Sequence, residues 1–202
     1  MNSRVLLASL LVFSHATYCM EPHSDLTLAD FKPLITKQQI AERVQNLGQI
    51  IDTHYCQHSP LPLVILAIMN GALPITADLM RTIQIPTELQ HMQASSYGQN
   101  GTEAGQLTLF GVERLNLEGK HVLLVDDIFD TGVTISRIKA ELLKKNPASL
   151  KSLVLLHKIG KSKVTENPDF VGFPIADQFV IGYGLDYKEL YRGLPDIWVK
   201  KN

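Results

Sequence analysis

Apolar positions recur along the chain in two rhythms, one helical and one of short continuous runs. Between Thr36 and Tyr55 they fall at Ile40, Val44, Leu47, Ile50 and Ile51. That spacing is close to 3.6 residues and predicts an amphipathic helix, with Thr36 as N-cap and Gln39 three residues later. Leu63 to Met69 is wholly apolar and ends at Asn70-Gly71, the pattern of a strand buried on both faces. Ala72 to Ile83 predicts a second helix, with Pro74 tolerated in its first turn. Ser95 to Gly105 has turn-forming residues and no apolar period, so it is expected to be loop. Val122 to Val125 is the strongest strand signal, followed by an amphipathic helix over Thr134 to Lys145 that closes on basic residues and Asn146-Pro147. Leu153 to Leu156 and Gln178 to Tyr183 read as further strands. Strands alternating with helices define an α/β domain around a largely parallel central sheet.

The first nineteen residues stand outside this pattern. Arg4 precedes an apolar run from Val5 to Phe13, and a more polar stretch leads to Cys19. The shape is that of a secretory signal, although Tyr18 spoils an A-x-A cleavage site. Translation from Met20 explains the segment equally well, and a packed N-terminal helix is a third reading. The division is therefore 1–19 as an apolar segment and 20–202 as one domain. No other stretch approaches the roughly 20 apolar residues needed to span a bilayer. With 19 basic and 20 acidic residues among 202, the net charge is -1. That balance argues against attachment to nucleic acid or anionic membrane by charge alone. Two cysteines, Cys19 and Cys56, exclude a disulfide scaffold and form no zinc spacing.

Chemistry concentrates in His121-Val122-Leu123-Leu124-Val125-Asp126-Asp127-Ile128-Phe129-Asp130-Thr131-Gly132-Val133-Thr134. A buried strand runs into paired carboxylates, then a short loop with a third, then a helix start. Ligands of open α/β sheets bind at the carboxyl ends of strands, where these groups fall. The loop from Asp130 to Thr134 can hold a phosphate through free backbone amides and two hydroxyls, with Gly132 allowing close approach. Asp126 and Asp127 suit sugar hydroxyls or Mg²⁺ instead. Strand-end aspartates are often plain turn residues, but three within five positions after so apolar a strand point to a phosphorylated sugar with a metal. Ile128-Phe129-Asp130-Thr131-Gly132 imitates the aspartic-protease signature, yet Val133 and the following helix argue against it. An EF-hand fails because Ile128 and Arg137 fill ligand positions.

The run Val125 to Thr134 resembles the signature of type I phosphoribosyltransferases, which bind phosphoribosyl pyrophosphate (PRPP). Ser95-Ser96-Tyr97-Gly98 resembles the mobile loop of the hypoxanthine-guanine branch. Pro168 to Phe173, Phe179 to Tyr187 and Tyr191-Arg192 resemble that branch's C-terminal region. The matches run in order from about residue 60 to 198. The resemblance implies the type I fold, a largely parallel sheet with a small hood made by the terminal segments. It also implies transfer of phosphoribose from PRPP to a 6-oxopurine (hypoxanthine or guanine), giving IMP or GMP and pyrophosphate in purine salvage.

Residue by residue, the resemblance makes Asp130 the general base that takes a purine ring proton. Thr131, Gly132, Val133 and Thr134 would hold the 5′-phosphate with Asp130. Asp126 and Asp127 would face the ribose hydroxyls and position metal-bound PRPP. Asn70-Gly71 would form the pyrophosphate loop and Arg192 would meet pyrophosphate. Lys158 would donate to the purine 6-oxo group, Phe179 would stack on the base and Val180 would contact it through its backbone. Asp186 would close the purine site and ligate Mg²⁺, with one or two ions expected. Ser95, Ser96, Tyr97 and Gly98 would belong to a lid that excludes water. Gln178 departs from a position that is often lysine in the branch, which leaves the preferred 6-oxopurine open. Partners would be the two small substrates and further copies of the chain, as a homodimer or homotetramer, with no nucleic acid and no membrane. The cytoplasm is the expected location, with export as the alternative if residues 1–19 act as a signal. A PRPP-sensing regulator on the same fold is the rival function; it could dispense with Asp130 and should carry a basic surface, which the charge does not suggest. A secreted hydrolase would leave the C-terminal matches unexplained.

Overall fold

Two sheets organise the chain. The computed structural model describes residues 26–56, 62–97 and 106–201. A 3₁₀ turn leads into β1 (Phe31–Ile35), α1 (Lys37–Tyr55), β2 (Leu63–Met69), α2 (Leu73–Thr82), β3 (Thr87–Tyr97), β4 (Gln106–Phe110), β5 (His121–Phe129) and α3 (Val133–Leu143). Then come β6 (Ser149–Lys158), β7 (Phe170–Ile175), β8 (Val180–Ile181) and β9 (Ile197–Lys200). The large sheet has the order β4-β3-β2-β5-β6-β7 and is parallel except for β4, which returns antiparallel along β3. The small sheet is antiparallel, β1-β9-β8, and is built from the two ends of the described chain. It is the hood that the family resemblance implies.

The apolar runs explain the layering. In β2 and β5 alternate residues serve opposite faces, so a strand without polar positions must be covered twice. Val64, Leu66, Val122 and Leu124 pack with Ile135, Ile138 and Leu142 of α3. Ile65, Ala67, Leu123 and Val125 pack on the other face with Ile40, Val44, Leu47 and Ile51 of α1 and with Ile75 and Leu79 of α2. The predicted cap of α1 is present: the Gln39 amide donates to the Thr36 hydroxyl, and the Thr36 amide donates to Gln39 Oε1 at 2.9 Å. Ile50, expected on the inner face, is exposed. Gly48 is buried there instead, because a Cβ on it would lie 2.2 Å from Thr82 Oγ1, where α1 and α2 touch.

Several boundaries differ from the pattern-based expectation, each for a tertiary reason. Ser95, Ser96 and Tyr97 are strand rather than loop, paired with Thr108, Leu107 and Gln106 of β4. Gly98 and the rest of the expected loop tip lie outside the described residues, as do residues 1–19 and Met20. The strand expected over Val122–Val125 continues to Phe129, since β6 supplies pairing partners for Asp126 and Ile128. The expected strand from Gln178 to Tyr183 contracts to Val180-Ile181, after which Gly182, Tyr183 and Gly184 all take positive φ. β1, β7 and β9 were not legible as strands. Among the described residues, no helix is long and apolar enough to cross a membrane.

The far edge of the large sheet is tied by an ionic cluster. Asp169, just before β7, accepts from the Ser152 amide at 2.8 Å and from Lys151 at 2.9 Å, both on β6. Lys139 of α3 is buried, pairs with Glu166 and lies 3.9 Å from Asp169. The cluster thus joins α3, β6 and β7.

Candidate active site at the carboxyl ends of the parallel strands

β2, β5 and β6 run parallel, so Asn70, Asp130 and Ile159, the residues that follow them, leave the same edge of the sheet. Most of the sequence-predicted site residues lie there in two groups and at the turn that opens α3, whereas Ser95, Ser96 and Tyr97 lie on β3 beside β4, and Gly98 is outside the described residues.

The first group surrounds Asp127. The chain leaves β2 through a cis Met69–Asn70 peptide, and Gly71 then lies directly against Asp127. A Cβ on Gly71 would fall 1.8 Å from Asp127 Oδ2. Gly184, φ +102°, presses on Gly71 from the hood side, where a Cβ would lie 2.0 Å from the Gly71 carbonyl oxygen. Only glycine satisfies both the left-handed backbone and the close approach. Arg192 braces this loop by donating to the Gly184 carbonyl at 2.8 Å. Its other terminal nitrogen meets Asp186 Oδ1 at 2.7 Å and Glu189 Oε2 at 3.0 Å. The Arg192 Nε is buried without a hydrogen-bond partner. One guanidinium therefore holds a backbone carbonyl and two carboxylates in a plane.

Electrostatically this group is short of cations. Burial, and then the neighbouring Asp127 charge, push the Asp126 carboxyl well above the usual carboxylate range. Burial likewise raises Asp127; the Asp186 charge adds to the rise, while Arg192 and the hydrogen bonds around the carboxylate oppose it. Asp126 Oδ1 accepts the Asp127 backbone amide at 3.0 Å, which fixes the Asp126 carboxylate against the Asp127 backbone. Among the described residues, no three acids converge into a closed metal cage. The donor set is nevertheless all hard oxygen and carries excess negative charge. It fits a Mg²⁺ ion that arrives with phosphate oxygens and water as its remaining ligands.

At the start of α3, Gly132 takes φ +79°, and no side chain caps the helix. The first-turn amides of Val133, Thr134 and Ile135 therefore face outward without a capping acceptor. A Cβ on Gly132 would collide with Phe129 at 2.3 Å and Val164 at 2.6 Å, so this turn also requires glycine. The Thr131 carbonyl is held by the Lys163 amide at 2.9 Å. Thr134 is exposed at the mouth of the turn.

The second group centres on Asp130. Lys158, at the end of β6 and buried, approaches Asp130 Oδ1 to 3.6 Å and Asp177 Oδ1 to 3.2 Å. Lys161 approaches the same two atoms, at 3.1 and 3.0 Å. Asp130 Oδ1 is buried and makes no directed hydrogen bond, even with two ammonium groups beside it. Both carboxylates raise the Lys161 pKa, Asp177 most strongly, and the Lys161 and Lys158 ammonium groups hold Asp177 below the usual range. Phe179 follows Asp177 closely in the chain and is 43% exposed, with its ring between Phe31 and Tyr187. Val180 is buried in β8, and the Phe179 carbonyl accepts the Lys200 amide of β9.

Sequence reasoning missed Lys161, Asp177 and Gly184. Lys161 lies three residues beyond Lys158, and Asp177 two before Phe179, but nothing in their local pattern separates them from surface charges. It also missed the contact that docks the hood: the Tyr183 hydroxyl donates to Asp78 of α2 at 2.7 Å.

Residues 35–188 match the family model described as the phosphoribosyl transferase domain. A hypoxanthine-guanine phosphoribosyltransferase of Aquifex aeolicus is 39% identical over 168 residues, 83% of this chain and 93% of that protein. Its counterpart in Bacillus subtilis is 36% identical over 84% of this chain and 93% of that one. Among solved structures, the hypoxanthine phosphoribosyltransferase of Trypanosoma cruzi in complex with the product IMP superposes with a TM-score of 0.78. It shares 36% identity, covering 84% of this chain and 94% of that one.

Proposed function

The chain belongs to the phosphoribosyltransferase family, and from that premise we propose that its two residue groups hold the two halves of one reaction. The enzyme transfers the phosphoribosyl group of PRPP to hypoxanthine or guanine, giving IMP or GMP and pyrophosphate in purine salvage. In this reaction a purine ring nitrogen forms a bond to the anomeric carbon as the bond to pyrophosphate breaks, and the purine gives up a ring proton.

The observation that carries the assignment of roles is the placement of Asp130. Its carboxylate, with one buried oxygen free of directed hydrogen bonds, stands two residues ahead of the left-handed glycine at an uncapped helix start. A proton acceptor and a phosphate cradle are thus a fixed distance apart, as a nucleoside monophosphate requires. In this reading Asp130 takes the purine ring proton, and Thr131, Gly132, Val133 and Thr134 bind the 5′-phosphate. Lys158 donates to the 6-oxo group. Phe179 covers one face of the base, Val180 contributes its backbone, and Asp186 closes that end of the pocket. Asn70 and Gly71 present backbone to pyrophosphate, and Arg192 offers its charge to the same group. Asp126 and Asp127 bind the ribose hydroxyls. With Asp186 they would hold Mg²⁺, one or two ions, which would screen pyrophosphate charge as it leaves. In this reading Ser95, Ser96, Tyr97 and Gly98 serve as the lid that closes over the site against water.

PRPP and free purines are intracellular metabolites, which supports action in the cytoplasm. Assembly as a homodimer or homotetramer is supported by Leu89 and Phe110. Both are exposed, and both line a cleft of about 680 Å³ along the half of β3 that β4 leaves unpaired. The test is an absorbance assay on residues 20–202 with PRPP and Mg²⁺, offering hypoxanthine, guanine, xanthine and adenine. The expected result is nucleotide formation from 6-oxopurines, with kcat reduced roughly 10²–10⁴-fold in Asp130→Asn while PRPP still binds. Binding of PRPP without reaction of any base would favour a regulator on this fold.

A further inference from the structure

We infer that Lys161 is a positioning residue that pairs with Asp130 and yields it to the incoming purine, passing to Asp177 as it does so. The inference rests on the reading of Asp130 as the purine-facing base. Two ammonium groups and two carboxylates neutralise one another within a few ångströms. Lys158 and Lys161 each lie within 3.6 Å of both Asp130 and Asp177. A purine must take Asp130 for its ring proton and Lys158 for its 6-oxo group, so one cation has to leave Asp130.

The two lysines are unequal. The Lys158 side chain is 11% exposed, at the end of a sheet strand, and is closer to Asp177 than to Asp130. Lys161 is 35% exposed, beyond the strand, and is the nearer of the two to Asp130. Its hydrogen bond to Asp130 Oδ2 is long, 3.4 Å, whereas that to Asp177 is 3.0 Å. Lys161 is therefore the cation free to move, and Asp177 already holds it by the shorter bond. The exchange keeps the pocket neutral with and without substrate, so purine entry strands no buried charge. Lys161 thus competes with the purine for Asp130, and Asp177 weakens that competition by offering a second acceptor.

The competition predicts signs that other roles do not. Lys161→Met should lower KM for hypoxanthine about threefold to fivefold with little change in kcat, the scale of a partly exposed ion pair. Asp177→Asn should raise KM by a similar factor, because Lys161 then has only Asp130. The double variant Lys161→Met, Asp177→Asn should recover most of that loss, and Lys161→Arg should keep the parent KM. Steady-state kinetics at saturating PRPP on the full enzyme, with circular dichroism to confirm folding, reads all four. A rise in KM in Lys161→Met would make Lys161 a direct purine ligand and overturn the inference, as would unchanged KM in both single variants. If Asp130→Asn retains full kcat, the reading of Asp130 itself fails, which is a separate result from either of these.

Discussion

An alanine at position 71 would place its Cβ 1.8 Å from Oδ2 and 2.5 Å from Cγ of Asp127, well inside any real contact. The carboxylate would have to withdraw by more than an ångström. Gly71 does not have a left-handed backbone, so alanine adds no strain of its own there. The colliding group is the end of a side chain and can turn away, so the fold should absorb the change as ordinary overpacking, about 1–3 kcal/mol. The displaced group is the one assigned to the ribose of PRPP. A misplacement of about 1 Å in a positioned group costs on the order of 10²-fold in rate, or about 2.7 kcal/mol of transition-state stabilisation. Gly71→Ala should therefore lower kcat/KM for PRPP roughly 100-fold while its melting temperature falls only a few degrees. Two further variants calibrate the measurement. Gly184→Ala meets a backbone oxygen at 2.0 Å with φ +102°, which no side-chain rotation relieves, so its main loss should be stability. Gly193→Ala meets nothing within 4 Å and should leave both quantities unchanged. The absorbance assay with parallel circular-dichroism melts separates the three. If folded Gly71→Ala keeps kcat/KM within threefold of the parent, Asp127 does not depend on Gly71 for its placement, and the argument fails.

Two other outcomes follow from the geometry. Burial would raise the Asp169 pKa, but hydrogen bonds from Lys151 and the Ser152 amide and the charges of Lys151 and Lys139 outweigh it, so the folded-state value is lowered. Its stabilising contribution is then complete above the ordinary carboxylate range and lost as pH falls through the folded value. In urea titrations, Asp169→Asn should cost about 1–2 kcal/mol at pH 7, with the gap closing below about pH 4; a pH-independent gap would contradict this. Leu89→Asp should shift the sedimentation coefficient toward the monomer, and an unchanged value would remove this edge from the assembly surface.

The parts legible in the sequence are those whose signal is local. The capping box at Thr36 and Gln39 and the turn at Gly132 depend on neighbours a few residues away, and the two-sided burial of β2 and β5, though made by distant helices, is written in their own unbroken apolar runs. Ser95 to Tyr97 misled because their composition suits a turn, while their conformation is set by pairing with β4, further along the chain. β1 was hidden for a similar reason. Its Pro33 argues against a strand, yet β1 lies at an edge and pairs on one side only, where a missing amide is tolerated. Of the site, the acids on and after β5 and the glycine among them announced themselves by their density. Lys161 and Asp177 did not, because they acquire meaning only when two separate loops fold onto Asp130.

The strand order of the small sheet bears on how the protein matures. β9, the last of the three strands in chain order, is the middle strand, with β1 on one side and β8 on the other. Phe31 must find Lys200 across nearly all of the described residues, a long loop closure that waits for β9. A nascent chain on the ribosome can build the large sheet and its acidic pair early. It cannot lay Phe179 and Phe31 side by side in this sheet until β9 has emerged. Chain order thus lets the Asp126–Asp127 pair form with the large sheet, while Gly184, Arg192 and the Phe31–Phe179 pair, which belong to both ends of the site, join it later.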